Sequence, residues 1–134
     1  NDIRLLLFFI DLDGLKFIND NHGHEEGDRA LKKTAYILKK TFRESDIIAR
    51  LGGDEFAILV SDGPELPAIA LKRLKKLTDM ENTASGLPYP IAMSTGVADY
   101  DPAVPCSIHE LMSRADQLMY DQKKNKKTTG NADK

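Results

Sequence analysis

Six consecutive apolar residues, Leu5 to Ile10, stand between Arg4 and Asp11 without polar alternation. A strand buried on both faces reads this way, because neither set of alternating side chains meets water. The block ends at Asp11-Leu12-Asp13-Gly14, so a central strand hands two carboxylates to a glycine-containing turn. From Glu26 to Phe42 the period changes: Leu31, Ala35, Leu38 and Phe42 recur at helical spacing while Lys32, Lys33, Lys39 and Lys40 take the remaining face. That pattern predicts an amphipathic helix. Ile47 to Leu51 and Glu55 to Val60 are short apolar segments flanking Gly52-Gly53-Asp54, which predicts a β-hairpin. A helix follows Gly63-Pro64 and runs to about Met80, apolar at Ala70, Leu74 and Leu77. The loop Asn82 to Pro90 ends it, and Ile91 to Ala98 reads as another strand. Ser107 and Glu110 form a capping box, opening a last helix with Ile108, Leu111, Met112, Ala115, Leu118 and Met119 at helical spacing. Its basic end, Lys123 to Lys127, leads into a polar tail, 128–134, that is expected to fray.

The order strand, helix, hairpin, helix, strand, helix predicts an α/β or α+β sheet covered by helices. At 134 residues the chain has room for one such domain. Nineteen Lys and Arg against 21 Asp and Glu give a formal charge of −2, which argues against a surface made to grip nucleic acid. The single cysteine, Cys106, cannot form an intramolecular disulfide, and no Cys/His cluster has zinc spacing, in keeping with a reducing cytoplasm. The longest apolar run falls far short of the roughly 20 residues needed to cross a bilayer, so no membrane contact is expected of this domain.

Three constellations carry chemistry. Asp11-Leu12-Asp13-Gly14-Leu15-Lys16 places carboxylates at the end of a buried strand, where hard cations find oxygen ligands, and follows them with a turn and a lysine suited to phosphate. Taken singly, such a run also reads as a solvated turn. Arg50-Leu51-Gly52-Gly53-Asp54-Glu55-Phe56 lets a glycine turn approach a bulky ligand, with two acids at the hairpin's mouth. Asn19-Asp20-Asn21-His22-Gly23-His24, followed by Gly27-Asp28, offers Asn and Asp groups that match the hydrogen-bonding edge of guanine. A structural reading stands beside it, with Asp28 as a helix cap and Asn19 in an Asx turn.

Together these segments resemble the GGDEF family of diguanylate cyclases. The resemblance rests on Gly52-Gly53-Asp54-Glu55-Phe56, on Phe9 to Asp13 through Phe17 to Asp20, on Gly23-His24 and Gly27-Asp28, on Ser94 to Val97, and on Ala115-Asp116 with Tyr120 and Lys123. It implies a domain over 1–127 with a central, mostly antiparallel sheet flanked by helices, related to class III nucleotidyl cyclases and polymerase palms. It also implies condensation of two GTP into cyclic di-GMP by a homodimer, with release of pyrophosphate. Asp11, the backbone carbonyl of Leu12 and Asp54 would bind Mg²⁺, or Mn²⁺ in its place. Asn19 and Asp28 would read guanine; Lys16, Lys123, Lys127, Gly14, Leu15, Gly52 and Gly53 would surround the phosphates. Glu55 belongs to the catalytic set with Asp11 and Asp54, as a metal ligand or as a proton-handling group.

The family also carries an inhibitory product site on an R-x-x-D motif five residues before the signature. Arg43-Glu44-Ser45-Asp46 has that register, with Arg73 as a candidate second arginine. A surface ion pair is the structural alternative for Arg43 and Asp46. The chain departs from the family in two places. Lys127 stands where an arginine is usual, which keeps charge but loses the bidentate fork. The family's opening helix, which precedes the first strand, is missing, so the chain reads as a fragment of low or no activity, attached to sensory or effector domains in a larger cytoplasmic or membrane-bound protein. The competing function is a catalytically silent module that senses GTP or cyclic di-GMP.

Overall fold

The structure, a computed structural model, describes residues 5–61 and 67–132, with side chains through Lys126. The Gly63-Pro64 turn and the Lys127 side chain lie outside the described residues. In chain order the elements are β1 (Leu5–Leu12), α1 (Leu15–His22), α2 (His24–Thr41), β2 (Ile47–Arg50), β3 (Glu55–Ser61), α3 (Pro67–Ala84), β4 (Met93–Tyr100) and α4 (Ile108–Ala132). The strands form one antiparallel sheet in the order β2-β3-β1-β4.

β1 is uniformly apolar because both of its faces are covered. Leu6, Phe8, Ile10 and Leu12 pack with Phe56 and Ile58 against Ile18, Leu31, Ile37, Leu38 and Leu74 of α1 to α3. Leu7 and Phe9 point the other way, where Ala57 and Ala98 meet Leu111, Ala115 and Met119 of α4. This alternation continues to Asp11, whose carboxylate therefore emerges on the α4 side. Helix α4 lies close on the sheet because β4 presents a glycine beneath it. A Cβ on Gly96 would fall 2.0 Å from the carbonyl oxygen of Ala115 and 2.4 Å from the amide nitrogen of Met119. The capping box at the start of α4 is formed: the Ser107 amide donates to Glu110 Oε1 at 3.2 Å and the Glu110 amide to Ser107 Oγ at 3.1 Å.

Four elements differ from the sequence expectation, among them α3, which runs past Met80 to Ala84 and so takes in the start of the segment expected to be a loop from Asn82. Helix α1 occupies a stretch that carries one buried residue, Ile18, and three side chains of low helix propensity, Asn19, Asp20 and Asn21. Packing against α2 supplies what propensity does not. β4 begins at Met93 and not at Ile91, because the Asn82 side chain takes both backbone groups of Ile91, accepting its N–H at 2.7 Å and donating to its carbonyl at 2.9 Å. Finally, α4 continues through Ala132 into the segment expected to fray, as helix propagation adds one hydrogen bond for each residue fixed. Among the described residues no helix is long and apolar enough to cross a membrane.

Candidate functional site

The sheet register gathers the acids at one end. Asp11 is paired with Glu55 of β3 on one side and with Ser94 of β4 on the other. The Leu12 amide donates to the Asp54 carbonyl at 2.9 Å, which locks the hairpin's mouth to the end of β1. Like charges directly opposite on neighbouring strands destabilise a sheet, so the Asp11–Glu55 pair is kept at a cost. Asp11 is only 6% exposed. Its Oδ2 accepts from the Lys123 ammonium, while its Oδ1 is buried with no hydrogen-bond partner. Burial pushes the Asp11 carboxyl up, Lys123 pulls it back, and the adjacent Asp54 carboxylate pushes it up again, to about 6. Burial draws Lys123 down, but Asp11 more than offsets this and holds its ammonium above the usual lysine range.

Among the described residues no three His, Cys, Asp or Glu side chains converge as a metal-binding group. Two neighbouring carboxylates, one of them with a buried, unpartnered oxygen, nevertheless fit a hard divalent cation of the kind that takes one or two protein carboxylates and completes its shell with waters and substrate phosphates.

The glycine turn is braced from within. Arg50 donates from Nε to the Gly52 carbonyl at 3.1 Å and from Nη2 to the Gly53 carbonyl at 2.8 Å, and the Leu51 amide donates to the Glu55 carbonyl at 2.8 Å. The loop therefore presents Asp54 and Glu55 from a fixed backbone.

On the other side of the acids, Gly14 turns the chain into α1 with φ 71°, a left-handed conformation that favours glycine. The first amides of α1 follow directly on this turn and have no intrahelical acceptor. Lys16 is exposed and paired along its own helix with Asp20 at 3.2 Å, so it is not drawn into the acid cluster. Asn19 lies over Gly27, where an added Cβ would fall 1.8 Å from Asn19 Oδ1. That close approach brings Asn19 to the residue preceding Asp28. Asp28 sits within α2, whose N-cap is Gly23, so it is not the helix cap that the structural reading of the sequence offered. It lines a hollow of about 240 Å³ together with Leu31, Ala35, Arg50 and Phe56. A larger hollow of about 440 Å³ lies between α3 and the β4–α4 side and contains none of the site acids.

Arg43 and Asp46 meet at the end of α2. Asp46 accepts from the Arg43 amide at 2.8 Å and from its guanidinium at 3.2 Å, and Arg43 also donates to the Ser61 carbonyl at 3.0 Å. Arg73 donates to the carbonyl of Thr41, at the same corner, at 3.1 Å. The ion pair of the structural reading is thus present, and Arg73 is brought near it.

Three residues of the acidic end were given no individual site role from the sequence. Asp13 accepts from the buried Ser94 hydroxyl at 2.7 Å and from Lys126 at 3.0 Å, and Lys126 also donates to the Met93 carbonyl. Strand alternation from Asp11 could have placed Asp13 on the α4 side; Ser94 and Lys126 needed the register and the path of α4.

A family model described as "Diguanylate cyclase, GGDEF domain" matches residues 1–129. A bifunctional diguanylate cyclase/cyclic di-GMP phosphodiesterase, MucR of Pseudomonas aeruginosa, is 39% identical over 92% of this chain, which spans 18% of that protein's length. Among solved structures, a sensory box/GGDEF family protein from Caulobacter crescentus CB15 is 34% identical with a TM-score of 0.74, covering 92% of this chain and 80% of its own. The GGDEF domain of DgcB from Caulobacter crescentus, solved in complex with c-di-GMP, is 26% identical with a TM-score of 0.76, covering 92% of this chain and 74% of its own.

Proposed function

From the premise that the chain belongs to the GGDEF domain family, we propose that it is the catalytic domain of a diguanylate cyclase, joining two GTP into cyclic di-GMP as a homodimer. The observation that carries this reading is the buried Asp11 carboxylate with an unpartnered Oδ1 beside Asp54, at the end of a strand paired on both sides. A structural domain gains nothing from such a group, because an unsatisfied buried polar atom costs stability.

Asp11, the Leu12 carbonyl and Asp54 would hold Mg²⁺, which when bound supplies charge neutralisation at the α-phosphate and acidifies the attacking 3′-hydroxyl. The chain's own contribution is placement. Gly14, Leu15 and the first turn of α1 offer amides to the terminal phosphates, with Lys16, Lys123 and Lys127 as their cationic partners. Gly52 and Gly53 leave room for the polyphosphate, and Arg50 keeps that loop from moving. Glu55 would either join the metal's ligands or accept the hydroxyl proton as the new O–P bond forms and pyrophosphate leaves. One domain holds one GTP, so two must face each other before either hydroxyl reaches the other's α-phosphate. Incubation of the chain with GTP and Mg²⁺, followed by product analysis, tests this: cyclic di-GMP supports the enzyme, and GTP binding without product supports a silent sensory module.

Base selectivity should follow from Asn19 and Asp28. With guanine's edge paired to both, the wrong base leaves polar groups unsatisfied at about 1 to 3 kcal/mol each, so GTP should outcompete ATP strongly. Equal displacement of a fluorescent GTP analogue by ATP and GTP would remove the guanine assignment.

Product feedback is assigned to Arg43, Asp46 and Arg73, where a guanidinium can stack on or fork to a dinucleotide. Arg43→Ala should weaken cyclic di-GMP binding by about 1.5 to 3 kcal/mol and leave GTP binding unaltered. Unchanged calorimetric affinity for cyclic di-GMP in that variant would leave Arg43 and Asp46 as an ion pair and nothing more.

A further inference from the structure

Lys126 and Lys123 are one turn apart on α4, and both reach the acidic end of the sheet. The carboxylate between them is Asp13. Its Oδ1 accepts the Ser94 hydroxyl at 2.7 Å and lies 3.9 Å from Lys123 Nζ, while its Oδ2 holds Lys126 at 3.0 Å. Ser94 is fully buried, so its hydroxyl fixes the carboxylate from below. The Met93 carbonyl takes a second donor of Lys126, leaving the ammonium anchored at two points on one side.

Stability does not explain this arrangement well. Lys126 is 45% exposed on its side chain, and ion pairs open to solvent contribute little to folding. What the network does accomplish is to hold two flexible cationic side chains in one place, beside the carboxylates that the proposed reading assigns to the metal and the triphosphate. Lysine ordinarily loses much rotamer freedom when it binds, and a site that has already ordered it binds more tightly.

Resting on the nucleotide reading above, we infer that Asp13, buttressed by Ser94, is a positioning residue for the substrate's polyphosphate: it holds Lys126 and Lys123 at the carboxylate end of the sheet, and Lys126 is a phosphate-binding residue of this chain. The nucleotide base is untouched by this device. Asp13 therefore acts on the affinity for phosphates and not on the affinity for guanosine.

The test is calorimetric titration of the parent chain, Asp13→Asn, Ser94→Ala and Lys126→Met, each with GTP plus Mg²⁺ and separately with guanosine, which carries the base without phosphates. Asp13→Asn and Lys126→Met should each weaken GTP binding about tenfold and Ser94→Ala about threefold, and combining the first two should cost well under the product of the single losses while exceeding Lys126→Met alone by the share of Asp13 that acts through Lys123. Guanosine affinity should stay within about a factor of two throughout, since none of these residues touches the base pocket. GTP binding by Asp13→Asn that is unchanged or tighter overturns the inference, as would guanosine affinity falling in step with GTP, the mark of a merely structural role. If Asp13→Asn does not fold, Lys126→Met decides alone on the same two ligands. A parent chain that binds GTP while the variants match it refutes only this inference; a parent that binds neither ligand refutes the nucleotide reading along with it.

Discussion

Asp54→Ala should abolish cyclic di-GMP synthesis in any form of the protein that makes it, with a folded domain left behind. If Asp54 holds the metal as proposed, its loss removes charge stabilisation worth several kcal/mol, which corresponds to a rate loss of about a thousandfold or more. The fold should survive because Asp54's structural contribution is its backbone carbonyl, which accepts the Leu12 amide whatever the side chain is. A second readout isolates the electrostatics. Burial and the Asp54 carboxylate hold the Asp11 carboxyl up at about 6 against the pull of Lys123, so removing Asp54 should lower the Asp11 titration midpoint. Carbon-detected NMR of the side-chain carboxyl in the parent and variant would follow this. Full turnover by a folded variant, or an Asp11 midpoint that does not move, would show that the two groups do not share a site.

Gly96→Ala should be among the most destabilising single substitutions available in this chain. The new Cβ would meet backbone atoms of α4 at 2.0 and 2.4 Å, and backbone cannot rotate aside as a side chain can. Overpacking of this kind costs about 3 kcal/mol or more, equivalent for a domain of this size to roughly 10 °C in Tm. Relief would come from lifting α4 off β4, which withdraws Lys123 from Asp11. Thermal denaturation followed by circular dichroism measures the first effect, and loss of GTP binding beyond the fraction unfolded measures the second. A Tm within about two degrees of the parent would mean that α4 adjusts without strain.

Much of the fold was legible because the strongest patterns mark the most buried elements. The unbroken block from Leu5 to Ile10 could be placed at the centre of the sheet, and the Ser107–Glu110 capping box marked where α4 begins. Helix α1 was not legible, since Leu15 and Ile18 alone carry its apolar spacing and tertiary packing on α2 decides its state. The i,i+4 pair Lys16–Asp20 was the available local hint. At the site, Asp11, Asp54 and Glu55 stood out as acids beside apolar runs. Asp13 and Lys126 are separated by 113 residues and Asp13 and Ser94 by 81, so their meeting depends on strand register and helix placement that no local spacing encodes.

The position of β1 has a consequence for how the domain opens. It is hydrogen-bonded along its length to β3 on one side and β4 on the other, so its amides can exchange with solvent deuterium only when the whole sheet comes apart. Asp11 is thereby carried by the slowest-exchanging unit of the molecule. Helix α1, eight residues long with one buried side chain, should open in a faster unit while the sheet stays closed. The residues that the proposed reading assigns to the metal and to the base therefore sit on parts of the chain with different opening free energies. A guanine ligand should slow exchange in α1 by mass action, and it should slow the β1 amides by the same factor, because global unfolding also releases the ligand.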